Sequence, residues 1–226
     1  MNWEDEGFLL AKRKFRENAN IIDVFTISNG KISGIVYGGN SRKIRNYLQI
    51  GNKIFVIHNS KNDNKIGYLK TELIEPISPK FFGDKKRTSA ILSLTFLLNK
   101  LLPESQPYNK IYNSLIELYR NFEHDNWIIL YIFWELNLIR ELGYGTNLFK
   151  FSDSNLKNYD LANITVDNVN FTVPYFIINQ KIPDEVANNL ILKSLSFTRS
   201  ILQSKFFLPN NIIFPKSRII LENYYN

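Results

Sequence analysis

The residues with most chemical character in this chain are cations in two short runs. Lys12, Arg13, Lys14 and Arg16 surround Phe15, and Arg42, Lys43 and Arg45 follow Gly38-Gly39. Like charges this close repel one another, so their placement calls for a polyanion that offsets the repulsion. A phosphate backbone does so, chiefly through release of its condensed counterions. Engaging four or five such side chains gives a log–log salt slope of about −3 to −4 on single strands, at about 0.7 per contact. Gly38 and Gly39 lack a Cβ and let backbone amides approach phosphate. Phe15, Tyr37 and Tyr47 lie beside the clusters and are candidates for base stacking, worth about 1–3 kcal/mol per base. The competing reading is a solvated face for the cations and barrel core for the aromatics. Lys85, Lys86 and Arg87 form a third run that would extend the phosphate path.

Other chemistries lack their residues. The chain has no cysteine, which excludes disulfides, thiolate catalysis and every zinc site that uses sulfur. Its two histidines, His58 and His124, stand in unrelated contexts and read as ordinary surface or core residues. There is no Walker A loop, no His-Glu-x-x-His and no Gly-x-Ser-x-Gly. The glycines from Gly30 to Gly39 fall within strands rather than at a helix start. The pairs Asp5-Glu6 and Asp184-Glu185 sit at element ends, where solvated caps account for them. The chemistry on offer is binding rather than turnover, with no metal and no cofactor expected.

Net charge is +7 and the pI is near 9.4, a balance that favours polyanionic partners. The chain is crowded with Asn, Ile, Lys, Tyr and Phe, a bias that AT-rich coding leaves in any protein, so where the charge sits matters more than its total. Residues 1–80 carry 13 Lys+Arg against 8 Asp+Glu, while 81–150 carry 8 against 7 and 151–226 carry 7 against 6. The excess therefore sits in the first third.

That third reads as β structure, with strands over 7–14, 21–28, 31–37, 53–58 and 65–75. Asn29-Gly30 is a two-residue hairpin signal, because both residues tolerate positive φ, and Asn62-Asp63-Asn64 marks another turn. Five short strands without helical periodicity fit a small closed barrel of the OB type, with an SH3-like barrel as the competing form. Beyond Pro76 and Pro79 the period changes. Ile91, Leu94, Leu98 and Leu101 follow helical spacing, as do Ile111, Tyr112, Leu115, Leu118, Tyr119 and Phe122. Residues 127–142 are apolar on nearly all sides and predict a buried central helix stopped by Gly143 and Gly145. Residues 149–151 and 170–173 read as short β pieces. Pro183 with Asp184-Glu185 predicts a helix start running to about 206, with Val186, Leu190, Phe197 and Ile201 inward. Pro215 opens a last short helix.

The fold class is thus α+β and multi-domain. A five-stranded OB-type barrel (1–80) is followed by an all-α bundle (81–146), a small mixed region (147–182) and C-terminal helices packing on the bundle (183–226). The apolar run 127–134 is too short for a bilayer, which needs about 20 residues. The opening MNWEDEG has no apolar signal region, so a cytoplasmic protein is expected.

Several of these residues together resemble the RecO family of bacterial DNA repair and recombination mediators. They are Trp3-x-Asp5-Glu6-Gly7, Glu17-Asn18-Ala19, and Gly34-x-Val36-x-Gly38-Gly39 followed by Ser41-Arg42-x-x-Arg45. Leu48-Gln49-x-Gly51-Asn52, Leu69-x-Thr71 and Glu75-Pro76 continue the likeness, as do Leu101-Leu102-Pro103-Glu104, Glu135-Leu136, Leu142-Gly143-Tyr144-Gly145 and the 215–221 helix. The resemblance implies binding of single- and double-stranded DNA, annealing of complementary strands without ATP, and a nucleoid-associated protein. It implies partnership with RecR, contact with the acidic C-terminal tail of single-stranded-DNA-binding protein, and help in loading RecA. Arg120 and Arg140 are the candidates for pairing with that tail. Many members carry a four-cysteine zinc finger after the central helix; here the stretch has no cysteine, so 147–182 is a zinc-finger-like region without its metal. Two rivals stand beside this reading: a general OB-fold module for single-stranded nucleic acid, and a scaffold that binds only proteins.

Overall fold

The computed structural model describes residues 2–39, 41–60, 66–144, 157–166 and 168–226. The chain divides into two units, Met1–Tyr112 and Asn113–Asn226.

The first unit is built on five strands: β1 (Asn2–Arg16), β2 (Ala19–Thr26), β3 (Gly30–Tyr37), β4 (Lys53–Asn59) and β5 (Gly67–Glu75). They close into a barrel in the order β1-β2-β3-β5-β4. All neighbours are antiparallel except β3 and β5, which meet in parallel at Gly34↔Gly67 and Ile35↔Tyr68. That order, with a helix between the third and fourth strands, is the OB barrel. Alternating apolar residues fill it: Leu9, Ile22, Val24, Ile32, Val36, Ile54, Val56 and Leu69 are buried together with Leu48. Gly34 is required at the closure, because a Cβ there would lie 2.4 Å from the Leu69 side chain.

Two local expectations change. The β2–β3 reversal is three residues, 27–29, and only Gly30 takes a positive φ, of 68°. The Asp5 carboxylate decides this by accepting from the amides of Ser28 (2.9 Å) and Asn29 (3.1 Å). The stretch after Gly39, read as a glycine-hinged connection, forms a short helix, α1 (Arg42–Tyr47). Six residues are too few to hold a helix by propensity; Ile44, Tyr47 and Leu48 pack on the barrel core and hold it there. The expected turn at Asn62-Asp63-Asn64 lies outside the described residues.

After a 3-10 turn at Ser78–Phe81 comes α2 (Lys85–Leu101), capped by Asp84, whose carboxylate accepts from Arg87 N–H at 3.0 Å. Helix α2 packs against β1 and β2, and the Asn99 amide donates to Asp23 at 3.0 Å. Helix α3 (Asn109–Arg120) begins in the first unit, where Tyr112 sits edge-on to Phe25.

The second unit holds the rest of α3, α4 (Trp127–Ile139), the hairpin β6 (Leu161–Val166) and β7 (Val169–Pro174), α5 (Tyr175–Asn179), α6 (Asn188–Leu202) and α7 (Lys216–Asn223). As expected from its composition, α4 is buried around most of its surface. It is followed by a wider turn, Arg140–Tyr144, in which Gly143 leaves helical geometry with φ 96°; Gly145 lies outside the described residues, as do 149–151. Helix α6 starts at Asn188 rather than near Pro183, with Ala187 as its cap. Within the helix the first buried side chains are Leu190 and Ile191; Pro183, already buried, and Asp184-Glu185 precede it. At its centre the Arg218 guanidinium and the Glu135 carboxylate pair with no exposed surface on either side chain. Among the described residues no helix is long and apolar enough to cross a membrane. None of those residues forms a group of three or more His, Cys, Asp or Glu placed to hold a metal ion.

Candidate nucleic-acid interface

Strand register decides where the first cationic run points. Cross-strand partners share a face. Lys12 lies opposite Ile22 and Lys14 opposite Asn20, whereas Arg13 lies opposite Ile21. Ile22 belongs to the barrel interior, so Lys12 and Lys14 extend that face at the barrel's end. Arg13 turns to the other face, where its guanidinium pairs with Asp23 at 3.0 Å. Arg16 lies opposite Ala19, which lies opposite Tyr37, at that same end. Shifts in register between Leu9 and Ala11 and between Lys14 and Arg16 set this arrangement.

The second run meets the first. Gly38 N–H donates to the Asn18 carbonyl at 2.8 Å, tying the β1–β2 turn to the β3–α1 link. The Lys12 ammonium donates to the Leu48 carbonyl at the end of α1 at 2.7 Å. Burial holds the Lys12 pKa below the ordinary lysine range, and the nearby Arg45 charge adds to the effect. Ile44 and Tyr47 turn inward, while Arg42, Lys43 and Arg45 are exposed. One end of the barrel therefore gathers Lys12, Lys14, Arg16, Arg42, Lys43 and Arg45.

The three aromatics separate. Phe15 is exposed, with the Arg16 guanidinium 5.2 Å from its ring centroid. Tyr37 is exposed and stacks on Tyr68 with centroids 5.3 Å apart. Hydrogen bonding to Tyr68 raises the Tyr37 phenol above its ordinary range, and the Arg16 charge works the other way. Tyr47 is half-buried against the barrel core and donates its hydroxyl to the Thr71 carbonyl at 2.6 Å. Tyr47 thus packs; the partner of Tyr37 is Tyr68, which the sequence reading missed. Its signal was the alternation Gly67-Tyr68-Leu69-Lys70, buried and exposed in turn. Tyr37, Ile44, Tyr68 and Lys70 line a groove of about 530 Å³.

In the third run, Arg87 is bound to Asp84 at 2.6 Å, while Lys85 is exposed and Lys86 half-buried. In the second unit, Arg120 is exposed and pairs with Glu117 one turn away at 2.6 Å. Arg140 donates to the Asn137 side chain and lines a cavity of about 310 Å³ with Leu130, Phe133, Leu136 and Ile182.

A closed barrel in this strand order, with cations and exposed aromatics gathered at one end, is an OB-type barrel. Residues 1–77 match the family model for the recombination protein O N terminal region, and residues 83–158 that for its C terminal region. The chain belongs to the RecO family. It is 33% identical to the DNA repair protein RecO of Cereibacter sphaeroides over 66% of this chain, a match that spans 62% of that relative. The RecO of Roseobacter denitrificans is 33% identical over the same shares. That of Wolbachia pipientis is 28% identical over 98% of this chain and 99% of its own length.

Proposed function

We propose that this chain is a DNA repair and recombination mediator that binds single- and double-stranded DNA through the cationic end of its barrel. It anneals complementary strands without ATP. Together with RecR it helps load RecA onto DNA coated by single-stranded-DNA-binding protein. Family membership and the names of the relatives support the role. The observation that carries the DNA-binding part is the convergence of Lys12 with the α1 cations, through the Lys12–Leu48 contact.

Annealing on such a surface needs no catalytic residue. Two complementary strands repel through their phosphates; the cations lower that repulsion and keep both strands at high local concentration. Base pairing supplies the specificity. Lys12, Lys14, Arg16, Arg42, Lys43 and Arg45 contact phosphate, and Lys85 and Lys86 extend the path. Phe15 and the Tyr37–Tyr68 pair stack bases. For the acidic partner tail, the apolar cavity beside Arg140 offers both a carboxylate partner and a place for apolar side chains.

The test is fluorescent strand annealing at several salt concentrations, comparing wild type with an Arg42→Ala/Lys43→Ala/Arg45→Ala variant. The variant should anneal more slowly at low salt, and its log–log binding slope should be shallower by about 2, at about 0.7 per lost contact. Equal rates and slopes would remove the α1 assignment.

A further inference from the structure

A second cavity, of about 190 Å³, opens beside the cationic end of the barrel and has no role in the account above. Lys12, Leu48 and Gln49 form one wall, and Phe82, Thr88 and Leu92 the other. Its floor is fixed by hydrogen bonds. The buried Asn52 side chain donates to the Tyr47 carbonyl at 3.0 Å and accepts from the amides of Ile77 (2.9 Å) and Ser78 (3.0 Å). The Ser78 hydroxyl donates to the Ile50 carbonyl. The end of α1 and the start of the α2 wall are thereby clamped together, and the cavity exists before anything enters it.

Its lining is mostly apolar and its mouth is cationic. Leu48, Leu92 and the Phe82 ring offer nothing to a phosphate. Lys12 sits in the wall within electrostatic reach of Arg45. Across the opening, Lys85 lies one turn before Thr88 and two before Leu92, on the same face of α2. The one nearby carboxylate in this turn, Asp84, is occupied by the Arg87 amide and guanidinium. Phe82 is 62% exposed, far more than a packing phenylalanine, and lines the cavity. A volume of this size admits one flat ring system and no chain segment.

We propose that this cavity receives one unstacked base of a bound single strand, with Phe82 as its stacking surface and the flanking phosphates on Arg45 and Lys85. The inference rests on reading the barrel's cationic end as a nucleic-acid interface. The Gln49 amide nitrogen donates to the Arg45 carbonyl at 3.0 Å, which leaves its carbonyl oxygen for the edge of the base, and a base held here is withheld from a duplex. The pocket therefore favours single strands over duplex, and pairing of the strand empties it.

The experiment measures fluorescence anisotropy at one salt concentration with oligothymidylate, an abasic strand of equal length and a duplex. It compares wild type, Phe82→Ala and Phe82→Trp. Removing an exposed ring leaves folding intact. Phe82→Ala should weaken oligothymidylate binding about tenfold while leaving duplex affinity and salt slope unchanged, and Phe82→Trp should restore it. The abasic strand should bind wild type more weakly than oligothymidylate and be insensitive to Phe82→Ala. Unchanged oligothymidylate affinity in Phe82→Ala, equal losses on strand and duplex, or equal wild-type affinity for abasic and intact strands each overturns the pocket while the cationic interface stands. An acidic peptide that binds wild type but not Phe82→Ala, with strand binding unaffected, makes this a peptide site and also overturns it. Wild type that binds neither strand nor duplex at low salt removes the interface and the pocket together.

Discussion

Replacing Arg218 by methionine tests what holds the second unit together. The guanidinium is fully buried and its donors are spoken for. Nε reaches Glu135 Oε1 at 2.7 Å and Nη2 reaches Glu135 Oε2 at 3.1 Å, a two-point pairing. Nη2 also donates to the Leu195 carbonyl at 2.7 Å, and Nη1 to Glu222 at 3.1 Å. Methionine fills much of the space but pairs with none of these groups. Glu222 keeps Arg199, 3.5 Å away and partly exposed. Glu135 keeps the hydroxyls of Tyr131 and Thr198, at 2.7 and 2.6 Å. A buried carboxylate stripped of its cation costs about 3–5 kcal/mol. Arg218→Met should lose that much in urea denaturation, followed by far-ultraviolet circular dichroism and by the fluorescence of Trp127 and Trp134 in α4.

The second half of the cycle separates charge from packing. Glu135→Leu in the Arg218→Met background removes the stranded carboxylate, so the double variant should recover part of the loss. The two single losses should exceed the double loss by about 2–3 kcal/mol, the upper range for groups in one network. Additive losses, or an Arg218→Met variant within about 1 kcal/mol of wild type, would refute an electrostatic basis for the centre of this unit.

Asp84→Ala should cost about 1 kcal/mol at neutral pH through loss of the α2 cap. Burial alone would raise the Asp84 pKa, but hydrogen bonds from Arg87 outweigh it and leave the carboxyl below its ordinary range. Its ionised form thus stabilises the fold above pH about 4; that advantage fades as pH falls through the depressed folded value, and the wild-type and variant denaturation curves should converge there. Gly30→Ala should be more costly. Its φ of 68° adds about 1–3 kcal/mol for a side chain. The new Cβ would also lie 2.1 Å from the Gln106 carbonyl oxygen, so the barrel should unfold at markedly lower urea, read at Trp3.

The barrel was legible because its strands alternate with a period of two and its interior positions are Val, Ile and Leu. The cations were legible as residue types, but where they point was not. Lys12 and Arg13 are adjacent in sequence, yet register sends one to α1 and the other to Asp23. Helix α1 was hidden because six residues with three cations carry too little apolar period to register, and it exists through Ile44 and Tyr47 packing on the barrel. In the sequence nothing separates Phe82 from the neighbouring Phe81. Its exposure follows from the 3-10 turn, which buries Phe81 and turns the next ring out.

By itself the amino-acid order determined the periodicity of the elements, the surplus of positive charge in the first third and the lack of any thiol chemistry, since these are properties of residue type and spacing along the chain. Tertiary structure decided which cations share a surface, which tyrosine has a stacking partner and that Arg218 finds Glu135 across 83 positions. Such pairings depend on register, bulges and helix packing, whose free energies come from contacts between residues distant in the chain.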